Sequence, residues 1–164
     1  MFQDLSKFKE LGFSGFKTVE QLWNGLSDLP NERGIYIILN PDCTMKQFMV
    51  KGVGGYFKDK DPNISLSDLN SKWVDGCSIL YIGQAGGNGS SATLRKRIKQ
   101  YLNFGQGKPV GHYGGRLIWQ LAHYKNLIVA WKITPNSDPR EEEKLLMKDF
   151  YNFYGRLPFA NLTF

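Results

Sequence analysis

The sequence predicts an α+β domain in which three strands are surrounded by helices. Three observations predict it. Residues 34–39, 78–83 and 126–133 are short apolar runs rich in β-branched and aromatic residues, the composition of buried strands. Residues 93–102 and 138–154 carry apolar side chains three and four apart behind helix start signals. The chain order is helix, strand, insert, strand, two helices, strand, helix, with no internal repeat.

Each element follows from local chemistry. Residues 4–26 read as two short helices broken near Gly12 and Gly15. In the second, Val19, Leu22, Trp23 and Leu26 recur at helical spacing behind Thr18 as N-cap, and Pro30 lies in the loop beyond. The run 34–39 ends at Asn40 and Pro41 and is the first strand. Residues 41–77 are glycine-rich over 50–57 and polar over 59–70, which reads as a hairpin with a mobile loop. The second strand, 78–83, leads into a loop over 84–91 with three glycines. A Ser or Thr before Leu94 caps the next helix. Residues 103–115 hold five glycines and read as loop; 116–124 reads as a short helix with Leu117, Ile118 and Leu121 inward. The last helix has the clearest start: Asp138 as N-cap, Pro139 at the first position and Glu141 completing a capping box. It stops near Gly155.

At 164 residues and 18.7 kDa the chain is about one domain, spanning 1–164, with 1–32 as an N-terminal helical extension and 41–77 as an insert. A hydrophobic content of 41% and a charged content of 22% exclude a disordered, collagen-like or coiled-coil chain. Cys43 and Cys77 make no disulfide framework. Residues 1–10 include Asp4, Lys7, Lys9 and Glu10 and lack an apolar signal core. No apolar run approaches the roughly 20 residues that span a bilayer. These features lead to an expectation of a cytoplasmic protein with no membrane partner.

The net charge of +6 is unevenly spread. No Asp or Glu occurs over 76–137, a stretch of 62 residues with eight basic ones: Arg95, Lys96, Arg97, Lys99, Lys108, Arg116, Lys125 and Lys132. A one-sided positive field of this kind suits a polyanion; a solubilising surface that happens to lack acids is the plainer alternative.

On a helical wheel, Leu146, Met147, Phe150, Phe153 and Tyr154 share one face of the last helix, and Glu143 sits in the middle of it. A carboxylate there is costly unless it is paired or binds a metal; an exposed first-turn glutamate favoured by the helix dipole is the other reading. In the basic helix, Arg97 lies on the shoulder of the apolar face, one turn from Tyr101. It could grip a phosphate or lay its stem over apolar atoms. The 83–89 loop is not a Walker A or dinucleotide fingerprint, and His112 and His123 lack zinc spacing with the cysteines.

Gly34-Ile35-Tyr36 and Tyr81-Ile82-Gly83 resemble the two halves of the signature of the GIY-YIG nucleases. Leu94-Arg95-Lys96-Arg97-Ile98-Lys99-Gln100-Tyr101 resembles that family's arginine helix, Glu143-Lys144-Leu145-Leu146-Met147-Lys148 its glutamate helix, and Pro158-Phe159-Ala160-Asn161 its closing motif. The resemblance covers about residues 33–162 in the right order. It implies a small central three-stranded antiparallel sheet flanked by helices and a metal-dependent endonuclease that hydrolyses DNA phosphodiesters. By that resemblance Glu143 would hold Mg²⁺ or Mn²⁺ and Arg97 would stabilise the phosphate. A tyrosine oxygen, Tyr36 by preference and Tyr81 second, would take the proton of the attacking water. Tyr101 would orient that transfer, and Asn161 would support the site. The alternative is a catalytically weak or inactive nucleic-acid-binding module on the same fold.

Two departures stand out. The signature halves are usually close, yet 44 residues lie between Tyr36 and Tyr81. Gln84 stands where many members carry lysine. The expected DNA contacts are Gln84, Arg95, Lys96, Lys99, Lys108, His112 and Arg116, with Lys51, Lys58 and Lys60 of the insert contributing. The DNA would be double-stranded or branched. With no room for a further DNA-binding domain, substrate selection is expected from the core itself or from a homodimer.

Overall fold

Strand β2 (Gly34–Leu39) lies in the middle of the sheet, and all six of its residues are buried. Covering on both faces is why its sequence is a continuous apolar run and not an alternating one. The computed structural model describes residues 2–112 and 114–164. Met1 and Tyr113, which fall in the expected N-terminal extension and glycine-rich loop, lie outside the described residues. Around β2 run α1 (Leu5–Glu10), β1 (Ser14–Thr18), α2 (Val19–Trp23), α3 (Leu66–Lys72), β3 (Ile79–Ala85), α4 (Leu94–Gly105), β4 (Ile128–Ile133) and α5 (Pro139–Tyr154).

The architecture is α+β, with one antiparallel sheet of four strands in the order β1-β4-β2-β3. The expected three-stranded sheet is therefore corrected to four. The additional strand is β1, in a segment read from sequence as part of the helical extension. Its missed signal has a physical cause. Ser14–Thr18 shows no clean alternation, is bulged between Ser14 and Lys17, and passes through positive φ at Gly15 (91°) and Phe16 (52°). Its place is set by β4: a Cβ on Gly15 would sit 2.4 Å from the Trp131 ring, so only glycine lets the strand close against that side chain.

One sheet face carries Tyr36, Ile38 and Tyr81 and packs against α2, α4 and the insert. The other carries Ile35, Ile37 and Ile82 and packs against Phe2, Phe8 and Phe150 of the terminal segments and α5. Leu80 is the extra residue of a bulge, since Ile38 pairs with Tyr81 and Leu39 with Ile79. The outer edge of β3 is closed by the chain's last segment. Asn161 mimics a strand: its Nδ2 donates to the Ile82 carbonyl and its Oδ1 accepts from the Ile82 N–H, both at 2.9 Å. Ala160 N–H extends the pairing to Leu80 O at 2.8 Å. This blunts an exposed edge.

Most helix signals match the chemistry that marks them. Thr18 forms a complete capping box with Gln21, Thr93 caps α4, Asp138 caps α5 with Pro139 behind it, and Gly155 ends α5 at φ 71°. The expected Glu141 half of the last box is replaced by an ion pair to Lys144 at 3.4 Å. Phe153, expected on the buried face, is 58% exposed because the face turns away from the sheet at the end of the helix. The short helix over 116–124 is instead two 3₁₀ turns, Arg116–Gln120 and Tyr124–Asn126.

The 41–77 insert contains no hairpin and is fastened to the core by a few anchors. Phe48 stacks on Phe159, Trp73 is 5% exposed, and α3 buries Leu69. Buried Gln120 fastens the insert: its Oε1 accepts from Ile64 N–H at 2.9 Å, and its Nε2 donates to the carbonyls of Met49 and Ile64. Among the described residues, no helix is long and apolar enough to cross a membrane.

Candidate functional site

Strand register brings the two signature tyrosines onto one face. Tyr36 opposes Gly83 and Tyr81 opposes Ile38 across the β2–β3 pair. A Cβ on Gly83 would lie 2.5 Å from the Tyr36 ring, so the glycine of the second half makes room for the tyrosine of the first. Helix α4 then delivers Tyr101, whose ring stacks on Tyr81 at 5.4 Å and 4°. The loop after α4 delivers His112, whose ring lies 4.2 Å from Tyr101. The result is a buried cluster of three tyrosines and one histidine.

Its hydrogen bonds fix where the protons are. His112 Nδ1 lies 3.0 Å from the Gly114 carbonyl, which can only accept. Nδ1 therefore carries the ring proton. Burial, helped by the Arg97 charge, pushes the imidazole pKa down to about 3, so Nε2 is bare at neutral pH. Tyr36 Oη, 2.7 Å away, must then donate to Nε2. The Tyr101 hydroxyl likewise donates to the Gly115 carbonyl. Burial pushes both phenols well above their ordinary pKa. Tyr36 and Tyr101 are each 1% exposed. Both hold their protons and face no solvent.

Tyr81 is different. It lines a cavity of about 160 Å³ together with Gly114, Gly115, Arg140, Glu143 and Asn161. Burial raises its pKa to about 12, with the Arg97 charge acting the other way. Of the two signature tyrosines, Tyr81 is the one that lines this cavity. Glu143 is 7% exposed, and burial raises its carboxyl pKa against the pull of Arg140. Arg140 Nη1 donates to Glu143 Oε2 at 2.9 Å. Asn161 reaches the same cavity, but its amide is spent on Ile82, so its role is to hold β3.

Arg97 lines a separate cavity of about 330 Å³ with Gln84, Lys96 and Gln100. Its Nη1 donates to Gln100 Oε1 at 3.3 Å and to Gly111 O at 3.2 Å. The glycine loop touches both groups: Gly111 holds the arginine, and Gly114 and Gly115 line the carboxylate's cavity. The Arg97 charge still influences Tyr36, Tyr81 and Glu143.

The expected DNA contacts divide. Lys96, Lys99 and Lys108 are exposed, and Arg116 is half-buried. Gln84 folds its Oε1 onto Gly87 N–H at 2.9 Å and braces the 84–91 loop. Arg95 is a staple for the turn before β2, donating to Leu29 O at 2.8 Å and Ser27 O at 3.2 Å. His112 is corrected outright: at 0% exposure it has no surface to offer DNA. Sequence reading missed its burial because a histidine in a glycine-rich loop carries no periodic signal. Arg140 was missed too, although its spacing three before Glu143 is the signal that could have found it.

Among the described residues, no three His, Cys, Asp or Glu side chains gather into a preformed metal cage. Glu143 alone fits a hard cation of the Mg²⁺ type, which takes one or two carboxylates and fills its shell with water and substrate oxygens. The donor set is oxygen only, borders a cavity, and is now neutralised by a guanidinium.

The buried imidazole predicts an acid-sensitive fold. Folded His112 protonates near 3, whereas an unfolded histidine does so near 6.5. Between these values the unfolded chain binds more protons, so stability falls as pH drops, by up to about 1.4 kcal/mol per pH unit. Urea melts at pH 8 and pH 5 should show a smaller loss for His112→Gln than for wild type. An equal loss would place the acid sensitivity elsewhere.

Comparison of the chain with protein-family models, with curated proteins and with solved structures finds no match.

Proposed function

We propose that this chain is a metal-dependent DNA endonuclease of the GIY-YIG kind. The observation that carries the reading is the convergence of Tyr81 and Glu143 on one cavity, with Tyr36, Tyr101 and the Arg97 charge behind it. These five residues come from four elements: Tyr36 from β2, Tyr81 from β3, Arg97 and Tyr101 from α4, and Glu143 from α5. The acid-free stretch over 76–137 supports a polyanionic substrate.

In this reading Glu143 holds Mg²⁺ or Mn²⁺. The ion, when bound, supplies charge neutralisation at the scissile phosphate and leaving oxygen. Tyr81 Oη accepts a hydrogen bond from the attacking water and orients it. Tyr101 stacks behind Tyr81 and holds its ring, while Tyr36 is locked by His112 beneath it. Arg97 binds a non-bridging phosphate oxygen as charge builds. Lys96, Lys99 and Lys108 track the DNA backbone, which is double-stranded or branched, and two copies would serve two strands. The free thiols Cys43 and Cys77 support a cytoplasmic setting.

A second reading has its own observation. Glu143 is already ion-paired, and the Tyr36 and Tyr101 hydroxyls are committed to neighbours. That arrangement also suits a nucleic-acid-binding module with little or no catalysis. Supercoiled plasmid decides between them. The endonuclease gives nicked or linear DNA with Mg²⁺ or Mn²⁺ and none with chelator. Salt-sensitive binding without cleavage under either metal would favour the module.

A further inference from the structure

We infer that Arg140 is a latch on the metal carboxylate, holding Glu143 until a divalent cation displaces it and then turning to the substrate phosphate. The inference rests on the reading of Glu143 as the metal ligand.

The geometry is specific. Arg140 and Glu143 are one turn apart on α5, on the same side of the helix. The Arg140 fork is held at both ends: Nη1 donates to Glu143 Oε2 at 2.9 Å and Nη2 donates to the Phe164 backbone oxygen at 3.1 Å. Its backbone is also pinned. The Asp138 cap accepts the Arg140 N–H at 2.8 Å, and a Cβ on Gly87 would meet Arg140 Cβ at 2.8 Å. What remains free to move is the side chain beyond Cβ, which lines the cavity beside Tyr81.

A buried carboxylate with no partner is costly. Arg140 offsets part of that cost in the cation-free protein. Glu143 would hold a divalent cation through the carboxylate that Arg140 now engages at Oε2, so cation and guanidinium would repel one another there and the guanidinium would be released. Its planar fork matches a phosphate better than a lysine would, and the cavity is where the scissile group would lie. Metal and substrate then bind in concert, because each takes one of the two groups that now hold each other.

The test measures Mn²⁺ binding by electron paramagnetic resonance and DNA binding in Ca²⁺, without cleavage. Arg140→Gln should tighten Mn²⁺ roughly tenfold, the scale of one charge-assisted hydrogen bond, and should weaken DNA binding. Lys144→Gln removes a charge from the same helix but pairs with Glu141, so it should do much less. Equal effects of the two variants would reduce the result to general charge and overturn the latch. So would unchanged or weaker Mn²⁺ binding by Arg140→Gln. Glu143→Gln separates the two levels of inference. If it abolishes Mn²⁺ binding while Arg140→Gln has no effect, only the latch fails. If it binds Mn²⁺ like wild type, the metal assignment fails and the latch falls with it.

Discussion

Arg97→Ala is expected to slow plasmid cleavage at saturating Mg²⁺ by about 10²–10³-fold, the cost of removing one preorganised group that meets developing charge. Its melting temperature should stay within ~2 °C of wild type. The reason lies in how the guanidinium is held. Its two bonds go to neutral acceptors, Gln100 Oε1 and Gly111 O, and among the described residues it pairs with no carboxylate. The full charge is therefore left for an anion, oriented by two bonds that cost the fold little to lose. Arg97→Lys keeps the charge but not the fork and should recover only part of the rate. Single-turnover rates on a defined duplex make the measurement. Cleavage by Arg97→Ala at the wild-type rate would remove Arg97 from the phosphate.

Trp119→Ala is expected to be the most damaging core change, costing about 3–5 kcal/mol and on the order of 10 °C in melting temperature. Trp119 is 1% exposed and stands where three parts of the chain meet. Its ring stacks on Trp23 at 6.0 Å and packs on Tyr101 at 5.4 Å. It also lies against Gly105, whose Cβ, if present, would be 2.5 Å from the indole. Its carbonyl accepts the Val53 N–H of the insert at 3.1 Å. Loss of the indole opens a cavity between α2, α4 and the Tyr124 turn and removes the support beneath Tyr101. A drop of under ~3 °C would mean that the neighbours close over the gap and that Tyr101 is held by other contacts.

These two residues mark the line between what is legible in a sequence and what is not. Arg97 announces itself, because it lies beside an apolar stripe in a stretch without acids. Glu143 does so too, as a carboxylate in the middle of an apolar helix face, and it is indeed buried. Trp119 lies in a segment whose helical pattern forms only 3₁₀ turns, since its backbone bonds go to the insert at Met49 and Val53 instead of along a helix. The insert shows neither period 2 nor period 3.6, because its order comes from the Gln120 side chain and scattered aromatic anchors.

By itself the sequence determined the buried strands β2 and β3, the capped helices α4 and α5, the α+β class and the location of the positive charge. All of these are local: side-chain volume, β-branching, cap chemistry and helical period act within a few residues. The rest comes from packing between parts of the chain that are distant in sequence. That packing added β1 to the sheet through Trp131, fastened the insert to the core, buried His112 under Tyr36 and put Tyr81 at the cavity. Each depends on burial or on a partner distant in sequence, and both the pKa of a buried group and the space beside a glycine are properties of the packed neighbours, not of the residue itself.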